Sequence, residues 1–430
     1  MTRAAAPAPG RKPIWVDLSE LVFTWNPAVQ YYGVARTVIE IGYEMRRLDP
    51  SVRFAIYSPG HRGFFEVFPK FGTEARNGLI DLSLPKEALP IRLRHKFPTV
   101  NPLRDAVLAV VKPAVRALNR RRWGHVPQDL AVPVDLSGAR LFAAGRYKVI
   151  ADYLTQMGPR ARFDLVPLIH DVIPLHYRGD HFSESLPTNY LLDISTVIAG
   201  AHRIVTNSRF TAHELAHYSG TGDLPAPLPP VTPVPLVHQY RETDEPMGID
   251  LPKAPYLLMV GTLPGRKNLE CTLAALRQLR ATRGAAPTLV LAGARSPKVD
   301  AVIDGQFADL KDGIVHVHSP NQTELAALYR NAFALVIASR IEGWGLPLGE
   351  ALWLGTPGFA AKVPALEEVG GDLACFFDPE DPDTLAALVA RYLDDPRAYA
   401  ALKDRITAAK GSLRTWTHVA QEALEVLSAP

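Results

Sequence analysis

The nine residues Glu342-Gly-Trp-Gly-Leu-Pro-Leu-Gly-Glu350 constrain the fold of this chain more than any other segment. The apolar run before them, Ala334-Leu-Val-Ile-Ala338, reads as a buried strand, and the run from Glu350-Ala-Leu-Trp-Leu reads as a helix. Strand, glycine-rich turn and helix together bring backbone N–H groups and a helix N-terminus to one edge of a sheet. That edge is where α/β proteins hold anionic ligands. On this reading Glu342 stands at the mouth of the loop and Glu350 in the first turn of the helix, where a carboxylate suits the dipole. Taken alone, a plain βα turn with a capping acid explains the loop equally well.

The same alternation recurs along the chain. Ile14-Trp-Val-Asp17 reads as a strand, and a helical pattern runs from Gly33 through Val38, Ile39, Ile41 and Met45. Val52 to Tyr57 follows as a second strand. That order is a βαβ pattern with parallel pairing. Further strands are expected at 140–144, 164–169, 203–206, 256–260, 288–292 and 314–317. The proline-rich stretch Leu224 to Pro235 admits neither a continuous helix nor a central strand. A chain of 430 residues exceeds one ordinary core. The division expected is a disordered tail at 1–12, an N-terminal domain at 13–238, a linker at 239–254, a C-terminal domain at 255–414 and a final helix at 415–430.

Composition excludes several classes. With 47 basic and 44 acidic residues the chain is no polyelectrolyte. Its two cysteines, Cys271 and Cys375, form no disulfide framework and no metal-ligand spacing, which favours a cytoplasmic setting. No apolar run is long enough to cross a bilayer. Charge is nevertheless concentrated in one insertion, about 91–122, with nine cations against the single acid Asp105. Val107, Val110, Val111, Ala114 and Leu118 recur there at helical spacing. Such a helix suits either its own domain's surface or an anionic membrane. Nucleic acid is not expected, because the aromatic platforms of single-strand binders are missing.

Three more clusters carry chemistry. Gly261-Thr-Leu-Pro-Gly-Arg-Lys-Asn268 joins a strand to a helix, and Arg266 with Lys267 can neutralise a diphosphate there, although adjacent surface cations are more often merely solvated. The segment lacks the G-x-x-x-x-G-K-[ST] pattern of a P-loop. His170-Asp171 ends an apolar strand, at the sheet edge where ligands usually sit. Gly33, opening the first helix, lets a ligand approach the backbone or simply makes a tight turn.

These residues carry a resemblance. Glu342 to Glu350 resembles the E-x7-E motif of retaining GT-B glycosyltransferases, in a setting similar to family GT4, or glycosyltransferase group 1. Agreement continues through 261–268, 323–329, 351–357, 364–371 and 377–379, and more sparsely through Gly33-Val-Ala-Arg36, His170 to Pro174 and Thr206 to Phe210. The resemblance implies two Rossmann-like domains facing across a cleft, an acceptor domain and a donor-binding domain, with the last helix crossing back to the N-terminal domain. It implies a nucleotide-sugar co-substrate, no other cofactor and no metal. Arg266 and Lys267 would bind the diphosphate, with backbone amides of Gly343, Trp344, Gly345 and Leu346. Glu350 would hold the ribose hydroxyls and Glu342 the transferred sugar, which His170 and Asp171 would also face; Gly33 would lie at the donor. One departure is Val234-Pro-Leu-Val-His238, where relatives tend to have an Ile-Pro-x-Gly turn.

The function implied is a retaining hexosyltransferase acting on a polysaccharide or lipid-linked oligosaccharide, cytoplasmic or peripheral on the inner membrane face. The wording of the motifs looks most like mannosyltransferases, so GDP-mannose is the favoured donor. Rhamnosyl or glucosyl transfer is the alternative within the fold. A phosphorylase or sugar-phosphate synthase is a second enzyme class, and a non-catalytic GT-B scaffold is the non-enzymatic alternative.

Overall fold

The computed structural model describes residues 10–23, 33–75, 77–85, 88–91, 102–176, 188–253, 255–261 and 265–429. The chain divides into two compact units. Unit 1 comprises 1–207, 211–234 and 416–430, and unit 2 comprises 208–210 and 235–415.

Unit 1 is built on one sheet. Its strands are β1 (Ile14–Asp17), β2 (Arg53–Ser58), β3 (Gly63–Val67), β4 (Ala131–Val134), β5 (Arg140–Ala143), β6 (Asp164–Ile169), β7 (Ile204–Thr206) and β8 (Val231–Pro233), in the order β8-β7-β6-β5-β1-β2-β3-β4. Pairing from β8 to β2 is parallel; β3 and β4 extend the sheet antiparallel. Strands β1 and β5 are buried along their whole length, as apolar runs in parallel sheets require. The proline-rich stretch contributes only β8, an edge strand, where a missing N–H costs least. The helices that matter below are α1 (Gly33–Leu48), α2 (Pro102–Trp123), α3 (Tyr147–Met157) and α4 (Thr188–Gly200). On α1, Val38, Ile39, Ile41 and Met45 are all buried.

The expected tail falls mostly outside the described residues, which begin at Gly10. Arg11 pairs with Asp49 at 2.8 Å and Lys12 with Asp164 at 2.7 Å, so those two positions are held. Residues 92–101 of the basic insertion, with Arg92, Arg94 and Lys96, also lie outside the described residues.

Unit 2 has a wholly parallel sheet of β9 (Tyr256–Val260), β10 (Thr288–Gly293), β11 (Ile314–His318), β12 (Ala334–Ile337), β13 (Gly358–Ala361) and β14 (Cys375–Phe377), ordered β11-β10-β9-β12-β13-β14. Its site-forming helices are α5 (Leu269–Arg283) and α6 (Leu346–Trp353). Segment 239–253, expected as a linker, lies inside this unit. Tyr240 Oη donates to the Gln322 carbonyl (2.6 Å), the Gly248 amide to Glu324 (2.8 Å) and Thr323 Oγ1 to the Thr243 carbonyl (2.7 Å). These bonds hold the polar segment at the start of the helix Gln322–Asn331, so the passage between units falls at Val234–Pro235.

The two ends of unit 2 are tied together. The Arg414 guanidinium donates to the carbonyls of Pro235 (2.8 Å) and Leu236 (3.1 Å). The Arg414 amide donates to His238 Nδ1 at 3.2 Å, which leaves His238 Nε2–H to donate to the Val369 carbonyl at 2.9 Å. The departure at 234–238 therefore supplies a histidine with both ring nitrogens engaged. The last helix, α7 (Trp416–Ser428), belongs to unit 1, where Arg140 donates to the carbonyls of Leu427 and Ala429.

Candidate functional site

In unit 2 two glycine turns bring the predicted charges together. Strand β9 is followed by Gly261 (φ +113°), and β10 ends at Gly293 (φ +153°). A Cβ on Gly293 would lie 2.4 Å from the Gly261 carbonyl oxygen, so only glycine lets the two strand ends approach. Residues 262–264 lie outside the described residues. A short 3-10 turn then presents Arg266 and Lys267, and its Arg266 carbonyl accepts from the Arg340 amide at 3.0 Å, just past β12. We expect Gly293→Ala to cost about 1–3 kcal/mol of stability by this overpacking. A chemical denaturation midpoint matching wild type would refute that.

The loop after β12 meets this turn. Arg266 Nη1 donates to the Ile341 carbonyl (2.9 Å) and to Glu342 Oε2 (2.7 Å), while Lys267 Nζ donates to Glu342 Oε1. Only 6% of Glu342 is exposed. Burial alone would raise its carboxyl; Lys267 and Arg266 outweigh burial and hold it down at about 2. One carboxylate thus neutralises one of two adjacent cations.

The helix starts earlier than its sequence implies. Gly345 takes φ +107°, Pro347 occupies the first turn, and α6 begins at Leu346. Proline there has no intrahelical N–H to lose. Glu350 consequently stands in the second turn rather than the first, and it does not cap the helix. Its carboxylate is buried and accepts from Tyr329 Oη at 2.9 Å. A Cβ on Gly345 would meet Leu366 at 2.5 Å, and one on Gly349 the Val237 carbonyl at 2.8 Å, so the loop packs tightly on both sides. The Trp344 indole is buried and donates to the Val237 carbonyl at 3.1 Å. Its side chain is taken up in this packing contact.

In unit 1, His170 and Asp171 directly follow β6. Both of their amides donate to Tyr147 Oη, at 3.1 and 3.0 Å, and the same hydroxyl donates to the Asp171 carbonyl at 2.6 Å. Asp171 Oδ1 accepts from the Ile173 amide at 3.1 Å. His170 Nε2–H donates to the Ala144 carbonyl at 2.8 Å, which leaves Nδ1 as the unprotonated acceptor. Burial lowers the His170 pKa against the opposing pull of Ala144, Asp171 and Glu20, so the ring is neutral near pH 7. Gly33 opens α1 at φ +58°, with open space where a Cβ would point.

Unit 2 thus joins Arg266, Lys267 and Glu342 directly, with Glu350 one turn along α6 on a partner of its own. His170, Asp171 and Gly33 belong to unit 1. Sequence reasoning assigned no role to Tyr147 or Tyr329. Each is an aromatic in a helical pattern, indistinguishable from core by spacing alone.

Residues 243–409 match the family described as glycosyl transferases group 1. The chain is similar to the serotype-specific mannosyltransferase WbdA of Escherichia coli, at 26% identity over 53% of this chain and 29% of that protein. It is also similar to the O-antigen chain mannosyltransferase B of Escherichia coli, at 32% identity over 33% of this chain and 37% of the other. The match therefore spans about a third of the length of these curated relatives. Among solved structures, the sucrose-phosphate synthase of Thermosynechococcus elongatus superposes with a TM-score of 0.64 at 18% identity, covering 97% of this chain and 98% of that one. The stretch that matches the glycosyl transferases of group 1 carries the E-x7-E loop, and the chain has the GT-B fold of two Rossmann-like domains.

Proposed function

We propose that this protein is a retaining hexosyltransferase that moves a sugar, mannose favoured, from a nucleotide diphosphate to a polysaccharide or lipid-linked oligosaccharide. The observation that carries the reading is the clamp of Arg266 and Lys267 on Glu342 at the mouth of the α6 loop. Donor binding gives these two cations a diphosphate to hold, which releases Glu342 to the hydroxyls of the transferred sugar. Amides of 343–346 add to the diphosphate contact, and Glu350, steadied by Tyr329, is assigned to the ribose. Neutral His170, with Nδ1 as acceptor, and Asp171 are assigned to the sugar.

In the proposed reaction the bond from the anomeric carbon to the diphosphate breaks, and a bond to the acceptor oxygen forms on the same face. The acceptor proton passes to the departing phosphate oxygen. Fixed cations stabilise the charge growing on the diphosphate, the task a divalent ion performs elsewhere. A thermal-shift screen against GDP-, UDP-, dTDP- and ADP-sugars tests the donor. GDP-mannose at a hundredfold excess over its Kd should add about 2.7 kcal/mol of stability. A shift with UDP-glucose or dTDP-rhamnose alone would move the reading to the corresponding transferase, and no shift with any donor would remove it.

We place the protein on the cytoplasmic membrane face through α2. Among the described residues no helix is long and apolar enough to cross a membrane. The outer side of α2 instead exposes Val107 (60%), Val110 (74%) and Leu118 (44%), with exposed Arg120 and Arg121 at its end. An apolar stripe rimmed by cations matches the interface of an anionic bilayer. Val107→Asp with Val110→Asp should cut sedimentation with phosphatidylglycerol liposomes at least tenfold; unchanged sedimentation would sink the placement.

A further inference from the structure

The inward side of α2 roofs a cavity of about 460 Å³ in unit 1, floored by the end of β2 and walled by α3 and α4. Its charged lining comes from Arg62, Lys112, Arg116, Asp152 and Asp193. Lys112, Asp152 and Asp193 have partners of their own. Arg62 differs, because its Nε is buried with no hydrogen-bond partner among the described residues. Burial lowers the Arg116 pKa, and repulsion from Arg62, Arg120 and Arg160 adds to the effect. The carboxylates Asp152 and Asp193 share this lining but are engaged by partners of their own, and Arg62 and Arg116 still repel each other.

The roof is fixed in place. Asn119 is bound to Ile91 through both the amide (2.8 Å) and the carbonyl (2.9 Å), and a Cβ on Gly60 would sit 2.7 Å from the Arg120 nitrogen. These contacts hold the helix so that Arg116 lines the cavity while Val107, Val110 and Leu118 stay outside. Such a helix does not roll to relieve the repulsion. An anion entering the cavity does relieve it, and two guanidinium forks match a phosphate geometrically. Asp152 and Asp193, on the adjoining walls α3 and α4, are acceptors for hydroxyl groups.

We propose that this cavity binds a phosphorylated saccharide, with Arg62 and Arg116 on the phosphate and Asp152 and Asp193 on sugar hydroxyls. The inference rests on the glycosyltransferase reading, since it names the acceptor's chemical class. The phosphate can belong to a soluble sugar phosphate or to the head group of a lipid-linked saccharide, and the test separates the two.

The whole 430-residue chain is titrated with mannose 6-phosphate, with mannose, and with vesicles carrying a polyprenyl diphosphate-linked saccharide, each in the presence of saturating GDP. Arg62→Gln and Arg116→Gln are each expected to weaken binding of the phosphorylated ligand about tenfold or more, the equivalent of one charge-assisted hydrogen bond. Arg116→Lys should recover part of that loss. Tight binding of mannose 6-phosphate assigns the soluble source, and binding of the vesicles alone assigns the lipid-linked one. Equal affinity for mannose and its phosphate, or wild-type affinity in Arg116→Gln, would overturn the proposal. Arg116→Gln decides the matter alone should Arg62→Gln fail to fold. The donor thermal shift, measured on the same variants, should stay unchanged. Its absence in wild type would instead strike the transferase reading.

Discussion

Glu342→Gln should lower the transfer rate by about 10²–10³-fold, the loss typical of removing one preorganised electrostatic contact at a reacting centre. Affinity for a free nucleoside diphosphate should hold or tighten in the same variant. The reason is competition: without donor, the Glu342 carboxylate occupies Arg266 and Lys267, and its amide replacement removes the negative charge that competes with the ligand. Initial rates with isothermal titration of GDP separate the two effects. A rate within about tenfold of wild type would sink the assignment of Glu342 to the sugar. The pair also sets an acid limit. The folded-state pKa, about 2, lies below the ordinary 4.5. Its contribution, about 3 kcal/mol, is therefore complete above pH 4.5 and fades as pH falls toward 2.

Trp416→Ala should cost about 3–5 kcal/mol, the range for truncating a large buried aromatic. Trp416 opens α7 with 0% of its surface exposed, and the Arg36 guanidinium lies 5.9 Å from its ring centroid. Beside it Thr417 Oγ1 donates to Glu44 and accepts from Arg47, both at 3.0 Å, pinning α7 to α1. Against a typical total of about 5–15 kcal/mol, such a loss is large. Urea denaturation followed by circular dichroism gives the value, and Trp416→Phe should retain most of the stability. A loss under about 1 kcal/mol would contradict the packing described.

Elements carried by local pattern were legible in the sequence. Strands 164–169 and 256–260 fall where their apolar runs place them, because a strand buried on both faces has no polar alternation to confuse. Boundaries set by single backbone conformations were not. Helix α6 was expected to begin at Glu350, whereas left-handed Gly345 and first-turn Pro347 start it four residues sooner. The antiparallel strands 63–67 and 131–134 pair across more than sixty residues, and local periodicity does not encode pairing. Arg266, Lys267 and Glu342 were each visible as charges at turns, but their mutual clamp spans about 75 positions. Tyr147 illustrates the same limit. Its hydroxyl organises the His170–Asp171 turn from more than twenty residues away, and nothing adjacent to it in sequence marks that task.

The placement of α7 in unit 1 has a consequence for synthesis on the ribosome. Domains usually fold in the order they emerge, the N-terminal one first. Here the sheet of unit 1 is complete by Pro233, yet the helix that covers α1 arrives only after all of 235–415 has been made. Most of unit 2, continuous apart from three residues at 208–210, is made while unit 1 still waits with the α7-binding surface of α1 open. The first module to begin folding is therefore the last to have its surface covered.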